Sequence, residues 1–284
     1  MSQVRRQSII STLLVYVGFV TGFVNTYLFT RQGSPFSPSE YAMTGIFIAV
    51  ANLMFALSNL GSVSVVYKFY PCYNDNLPKR KTDLLTLSLL ICIGGFILVT
   101  LGGIVFKDSV VRKFSSNSPL FIEYYRWTFP FGFGLLLFTL FEAFGWNIRK
   151  PVFTTFLREV FFKLLTFVLI FSLSFHLLPD FDVFIKVYSF TYLLTALALT
   201  VFLIWHGEFH LVFQISRVTR RFYKKMVSMA TLVFSGGVIF TVAQFADTFI
   251  IMSLLGTGPA GIFALGSVVS GLVQAPQRGA VAAA

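Results

Sequence analysis

The sequence predicts an all-α fold, a polytopic transmembrane helical bundle of about eight spans, and three observations carry that expectation. Hydrophobic residues make up 56% of the 284 and charged residues only 12%, with a mean hydropathy of +0.80, outside the range of soluble globular domains. The apolar residues fall into runs close to the roughly 20 residues of helix that cross a hydrocarbon core of about 30 Å. Lys and Arg, which give a net charge of +11, cluster between those runs, where bilayer orientation explains them better than nucleic acid does. Anionic membrane lipid is the expected neighbour, and no nucleic-acid partner is expected.

Taken in order, the first run, 9–30, follows Arg5 and Arg6. It is too long for a secretory signal and no small-residue cleavage site follows it, so it reads as a retained span. Runs 41–67, 84–106 and 124–144 come next. Trp127 and Trp146 bracket the fourth, about 28 Å apart along a helix, so that one Trp lies at each interface. Runs 152–178 and 184–205 complete a first lobe of six helices, 1–205. Residues 206–226 form a linker long enough for an amphipathic helix on the membrane surface, with Phe209, Leu211, Phe213 and Val218 inward and Arg217, Arg220 and Arg221 near phosphates. Runs 227–255 and 260–284 open a second lobe, 227–284. The last residues, Gly279-Ala-Val-Ala-Ala-Ala284, are still apolar, so the sequence is expected to be a fragment whose remaining second-lobe helices are missing.

The basic residues orient the bundle. Arg5, Arg6, Lys68, Lys79, Arg80, Lys81, Arg149, Lys150, Arg158, Lys163, Arg217, Arg220, Arg221, Lys224 and Lys225 all belong to one side, which thereby holds fifteen of the 22 Lys and Arg residues. The other side has Arg31, Lys107, Arg112, Lys113, Arg126 and Lys186. By the positive-inside rule the N-terminus and the basic segments are cytoplasmic.

One hairpin pattern occurs twice. Asn25-Thr26-Tyr27-Leu28-Phe29 is like Asp247-Thr248-Phe249-Ile250-Ile251, and after a turn Gly45-Ile46-Phe47 is like Gly261-Ile262-Phe263. Duplicated halves are characteristic of transporters, with the site between them. Asp247 is the leading functional candidate, because a carboxylate inside an apolar run costs several kcal/mol unless it faces a protein interior or a water-filled cavity. Gln244 shares its face. Asn25 stands at a similar depth on a stripe with Gly18 and Gly22, a spacing that equally suits close packing. Asn52 and Asn59 share a face of the second span, where packing is the stronger reading. Glu142 lies one turn before Trp146, near the interface. Arg149, Lys150, Arg158, Lys163 and Arg278 are candidates for attracting a phosphate headgroup; the plain alternative for Glu159 and Lys163 is an i, i+4 ion pair at a helix end.

Little points to an enzyme. His206 and His210 are spaced i, i+4, but Glu208 is misplaced for a metalloprotease pattern and no third ligand is evident. Cys72 and Cys92 form no paired motif. No nucleophile elbow or Walker-type loop is present, so neither covalent catalysis nor ATP-driven pumping is indicated, and neither a metal nor a cofactor is expected.

Four segments carry a resemblance to a known family. They are Arg5-Arg6-Gln7-Ser8-Ile9-Ile10; Glu142-Ala-Phe-Gly-Trp146-Asn-Ile-Arg149-Lys150-Pro151; Arg217-Val-Thr-Arg220-Arg221; and Asp247-Thr-Phe-Ile-Ile-Met-Ser-Leu-Leu-Gly256 with Gly261-Ile262-Phe263. The chain resembles the polysaccharide biosynthesis, or oligosaccharide flippase, proteins of the multidrug/oligosaccharidyl-lipid/polysaccharide exporter superfamily. The resemblance implies two six-helix lobes around a cavity that opens alternately to either side of the bacterial inner membrane. It implies a lipid-linked oligosaccharide, carried on undecaprenyl diphosphate, as the substrate for surface polysaccharide biosynthesis, and contact with polysaccharide-assembly enzymes. Sodium-coupled drug exporters of the superfamily carry Asp in the first helix where this chain has Asn25, and peptidoglycan-precursor flippases rely on arginines in the first two helices that this chain lacks. Both departures favour the oligosaccharide flippases. The alternatives are a cation-coupled antiporter of small molecules, an integral-membrane glycan-assembly enzyme, and a non-transporting scaffold.

Overall fold

Serine caps set the starts of two helices among the described residues. Ser37 and Glu40 form a reciprocal capping box at the head of α2, Pro38–Ser58, with Pro38 in the first turn, where its missing N–H costs nothing. Ser216 caps the longest helix by accepting from the Thr219 N–H. The computed structural model describes residues 3–31 and 33–271. Those residues form helices and connecting turns, with no strand among them.

In chain order the helices are α1 (Gln3–Thr30), α2, α3 (Ser62–Asn76), α4 (Leu84–Val105), α5 (Lys107–Phe114), α6 (Pro119–Tyr124), α7 (Thr128–Asn147), α8 (Pro151–Thr155), α9 (Phe162–Ser174), α10 (Phe181–Tyr188), α11 (Thr191–Trp205), α12 (Arg217–Leu254) and α13 (Thr257–Gly271). Among the described residues six stretches are long and apolar enough to cross a membrane: Arg5–Thr30, Pro38–Ser58, Leu84–Val105, Pro119–Asn147, Phe181–Trp205 and Arg217–Leu254. The protein is a multi-pass, all-α membrane bundle.

Three expectations change in detail. The second run does not continue to Tyr67, because Leu60 and Gly61 adopt left-handed backbone at φ 46° and 77° and separate α2 from α3. The run from 152 is a helical rod whose middle, Phe156–Phe161, is π-helical. The linker forms no surface helix of its own: residues 206–216 are non-helical, and from Arg217 the chain enters α12 and stays helical to Leu254. The Ser216 cap is the physical reason, since it starts the helix at the basic residues and nothing breaks it before the apolar run.

The interior is built on α7, which packs against α2, α3 and α11 and buries Phe131, Leu136, Phe138 and Leu140 completely. Phe131 stacks on Tyr188 at 5.1 Å and meets Tyr192 edge-on at 5.0 Å. Such aromatic pairs add about 0.5–1.5 kcal/mol each beyond area burial. The two hairpins of the repeat meet through their second helices. α2 and α13 pack together, with an added Cβ on Gly45 lying 3.5 Å from Ala264 and one on Gly261 2.9 Å from Ala42. This is the small-residue contact that lets helices approach closely in a bilayer.

The basic segments gather at one end. There Gln7 Nε2 donates to the Arg149 carbonyl at 3.1 Å, Lys79 pairs with Glu208, and the Ser216 N–H donates to Asp83 Oδ2 at 2.8 Å. At the opposite end Ser118 Oγ and Asn117 Nδ2 each donate at 2.8 Å to the carbonyls of Met252 and Ser253.

Candidate functional site

The buried charge in this bundle is not where hydropathy alone points. Glu142, in the last turns of α7, is 1% exposed; close packing around that face of α7 turns its carboxylate inward although Trp146 follows one turn later. The π-helical stretch Phe156–Phe161 supplies the partner. A π turn widens the helix by one residue and rotates the helix beyond it, a deformation frequently found at functional sites. Here Arg158 reaches Glu142 Oε2 in an ion pair, its guanidinium carbon 5.7 Å from the centre of the Phe138 ring. One residue on, Glu159 is buried and pairs with Lys163 at 3.1 Å. The Lys163 ammonium lies 5.2 Å from the centre of the Phe19 ring. Tyr67 is within electrostatic reach of Glu142 and Arg158, and Tyr192 of both and of Glu159.

Helix α1 closes the other side. A Cβ added to Gly18 would press on the Glu159 backbone and lie 2.9 Å from the Glu159 Cβ, so only glycine lets the two backbones approach this far. Asn25 is buried and its Nδ2 donates to the Lys163 carbonyl at 2.8 Å. The Gly18, Gly22 and Asn25 stripe is therefore a packing face against the fifth apolar run, and it also walls the charged cluster.

The cluster has a front and a back. The Glu142 and Glu159 side chains are 2% and 9% exposed, whereas those of Arg158 and Lys163 are 38% and 24% exposed. Acids sit behind and cations open outward. Among the described residues Glu142 Oε1 and Asn25 Oδ1 are buried without a hydrogen-bond partner. A buried pair costs several kcal/mol per ion in desolvation that its own attraction barely offsets, and intramembrane ionisable residues are by default functional. Chemically, the arrangement presents fixed positive charge to an anion while the acids hold both cations in place.

Of the residues singled out in the sequence, Glu142, Arg158, Lys163 and Asn25 come together here. The others do not. Asn52 Nδ2 donates to its own helix at the Ile48 carbonyl, 2.7 Å. Asn59 caps the end of α2: its Oδ1 accepts from the Gly61 N–H at 2.8 Å, and its Nδ2 donates to the Phe55 carbonyl at 2.9 Å. Arg149 and Lys150 are exposed at the basic end. Asp247 and Gln244 are exposed on α12, and among the described residues neither has a hydrogen-bond or ion-pair partner. Arg278 lies outside the described residues. Glu159, Tyr67 and Tyr192 are cluster members that sequence reasoning missed; the Glu159–Lys163 spacing was visible, but its burial was not. Among the described residues no group of three or more His, Cys, Asp or Glu could hold a metal ion.

No protein-family model matches the chain, and comparison with curated proteins and with solved structures likewise yields no match.

Proposed function

We propose that this membrane protein is a transporter whose substrate is a lipid-linked oligosaccharide bearing a diphosphate, moved from one leaflet to the other by alternating access. The observation that carries the reading is the buried cluster of Glu142, Arg158, Glu159 and Lys163, cations outward, with Glu142 in the stretch Pro119–Asn147 and the other three packed against Arg5–Thr30, both long enough to span the bilayer. A hydrocarbon interior tolerates such a group where it meets water or a charged substrate, and Arg and Lys are the side chains that bind phosphate. The resemblance of the sequence to oligosaccharide flippases supports the same substrate class, and with it a cytoplasmic N-terminus, the bacterial inner membrane, no enzymatic step and H+ or Na+ as coupling ion.

The test is leaflet translocation of a labelled undecaprenyl-diphosphate oligosaccharide in proteoliposomes. Arg158→Gln should abolish it while a lipid-facing control such as Leu98→Ala leaves it intact; equal rates for Arg158→Gln and the parent would remove the cluster from transport. The partnerless Glu142 Oε1 favours a second reading, a cation-coupled antiporter of small molecules. Efflux of a cationic dye in the same vesicles, driven by a proton or sodium gradient, with no glycolipid translocation, would establish it instead.

A further inference from the structure

Away from the charged cluster, the basic end of the bundle contains a groove of about 860 Å³ between the α3–α4 connection and the start of α12. One wall carries Arg80 and Lys81, and the other Arg217 and Arg221. All four are exposed, and among the described residues none has a carboxylate in ion-pair contact. Asp75 is the acid that lines the groove, leaving three positive charges in excess.

The groove is held in shape from below. Asp83, 1% exposed, accepts at Oδ2 from the Ser216 N–H at 2.8 Å and from Thr219 Oγ1 at 2.7 Å. The Tyr73 hydroxyl meets the same Thr219 Oγ1 at 2.6 Å, and the Val212 N–H donates to Thr86 Oγ1 at 2.7 Å. These bonds pin residues 212–219 to the head of α4, so the four cations need little reordering to bind a ligand together.

Its height in the bilayer is fixed by α12. A 38-residue helix is about 57 Å long, far more than the roughly 30 Å of hydrocarbon. The apolar part begins at Met226, which leaves Arg217–Lys225 in the headgroup layer. Leu77, Val212, Ile215, Val218 and Phe222 supply apolar lining beside the charges.

We infer that this groove binds the phosphate headgroup of an anionic membrane lipid, with the phosphate between Arg80 and Lys81 on one wall and Arg217 and Arg221 on the other. The inference is independent of the transport reading, because it concerns a resident lipid and other residues. The membrane surface supplies such phosphates at high local concentration, and each Lys or Arg near an anionic surface strengthens binding about fivefold.

Native mass spectrometry of the full chain in detergent tests it, with phosphatidylglycerol titrated against phosphatidylcholine. Phosphatidylglycerol should bind more tightly, and Arg217→Gln/Arg221→Gln should weaken it about 25-fold. The control Lys107→Gln/Arg112→Gln, with the same change of charge at the other end, should weaken it less than twofold. Should the first pair not fold, as judged by helical circular dichroism, Arg80→Gln/Lys81→Gln on the opposite wall carries the test with the same expected loss. Equal weakening by the groove and control pairs would overturn the site. Displacement of phosphatidylglycerol by an equal concentration of inorganic phosphate would overturn the lipid assignment and make the groove a free-anion site.

Discussion

Removing either member of the Glu142–Arg158 pair should have unequal consequences, and the inequality is worked from exposure. Arg158→Gln leaves the Glu142 carboxylate 2% exposed and without its partner. Breaking a buried ion pair from one side costs about 3–5 kcal/mol. A ceiling comes from protonation: neutralising an ordinary glutamate of pKa about 4.3 costs about 3.7 kcal/mol at pH 7 and about 1 kcal/mol at pH 5. The guanidinium stacking on Phe138 adds about 0.5–1 kcal/mol. Arg158→Gln should therefore destabilise by about 4 kcal/mol at pH 7 and by less than half of that at pH 5. Glu142→Gln leaves a guanidinium that keeps 38% of its side-chain surface accessible, has Glu159 nearby, and should cost about 1 kcal/mol. The double variant strands nothing and should be more stable than Arg158→Gln alone. Equilibrium unfolding of the three variants by SDS titration in mixed micelles, at both pH values, gives the double-mutant cycle directly. Equal costs for the two single variants, or a double variant equal to their sum, would refute the exposed-cation, buried-acid geometry.

Two further predictions concern the walls of the two sites. Gly18→Ala should force α1 away from the Glu159 backbone at a cost of about 1–3 kcal/mol, read as lowered thermal stability and as faster cysteine labelling at Lys163→Cys; an unchanged melting temperature would show that α1 does not bear on the cluster. Burial pushes the Tyr73 hydroxyl up to about 12 against the lowering effect of its Thr219 bond. A folded pKa above the unfolded one near 10 means that the hydroxyl's contribution is complete below pH 10 and is lost as pH rises toward 12, an order-of-magnitude effect of up to about 3 kcal/mol. Tyrosinate absorbance should show this late step, and Tyr73→Phe should remove it; a Tyr73 titration near 10 would contradict the buried latch on α12.

The spans were legible because hydropathy and helix length are both local. Among the described residues six long apolar stretches follow six of the eight runs marked in the sequence, and the alternation of basic segments is matched by the contacts that join Gln7 to Arg149 and Asp83 to Ser216 at one end. The break at Leu60-Gly61 was not legible, since an Asn-Leu-Gly triplet within an apolar run fits a packed helix as well as a turn. Nor was the azimuth of the acids. Apolar runs in a bilayer carry little amphipathic signal, so the position of Asp247 in its run fixes its depth and leaves its direction open, and Trp146 one turn beyond Glu142 suggested an interfacial residue where the bundle has a buried one. The π-helical stretch, which turns Arg158 toward Glu142, has no sequence signature comparable to a cap or a proline.

The direction of Asp247 has a measurable consequence. It is exposed on α12, seven residues before the helix ends at Leu254, which places it about 10 Å inside that end. Most of α12 beyond Met226 is equally bare; in that part Met252 is the buried residue. If that face meets lipid, Asp247→Leu replaces a residue costing up to about 2.5–3.5 kcal/mol, the value at the centre of a spanning helix, with one favoured there, and the variant must be more stable than the parent. If the face borders water, as alternating access requires, the substitution gains little stability and translocation falls. We expect the second outcome, less than about 1 kcal/mol of stabilisation together with a loss of glycolipid transport. A strongly stabilised variant with normal transport would place Asp247 in lipid, and the water-filled passage would then have to run past Arg158 and Lys163 without α12 as a wall.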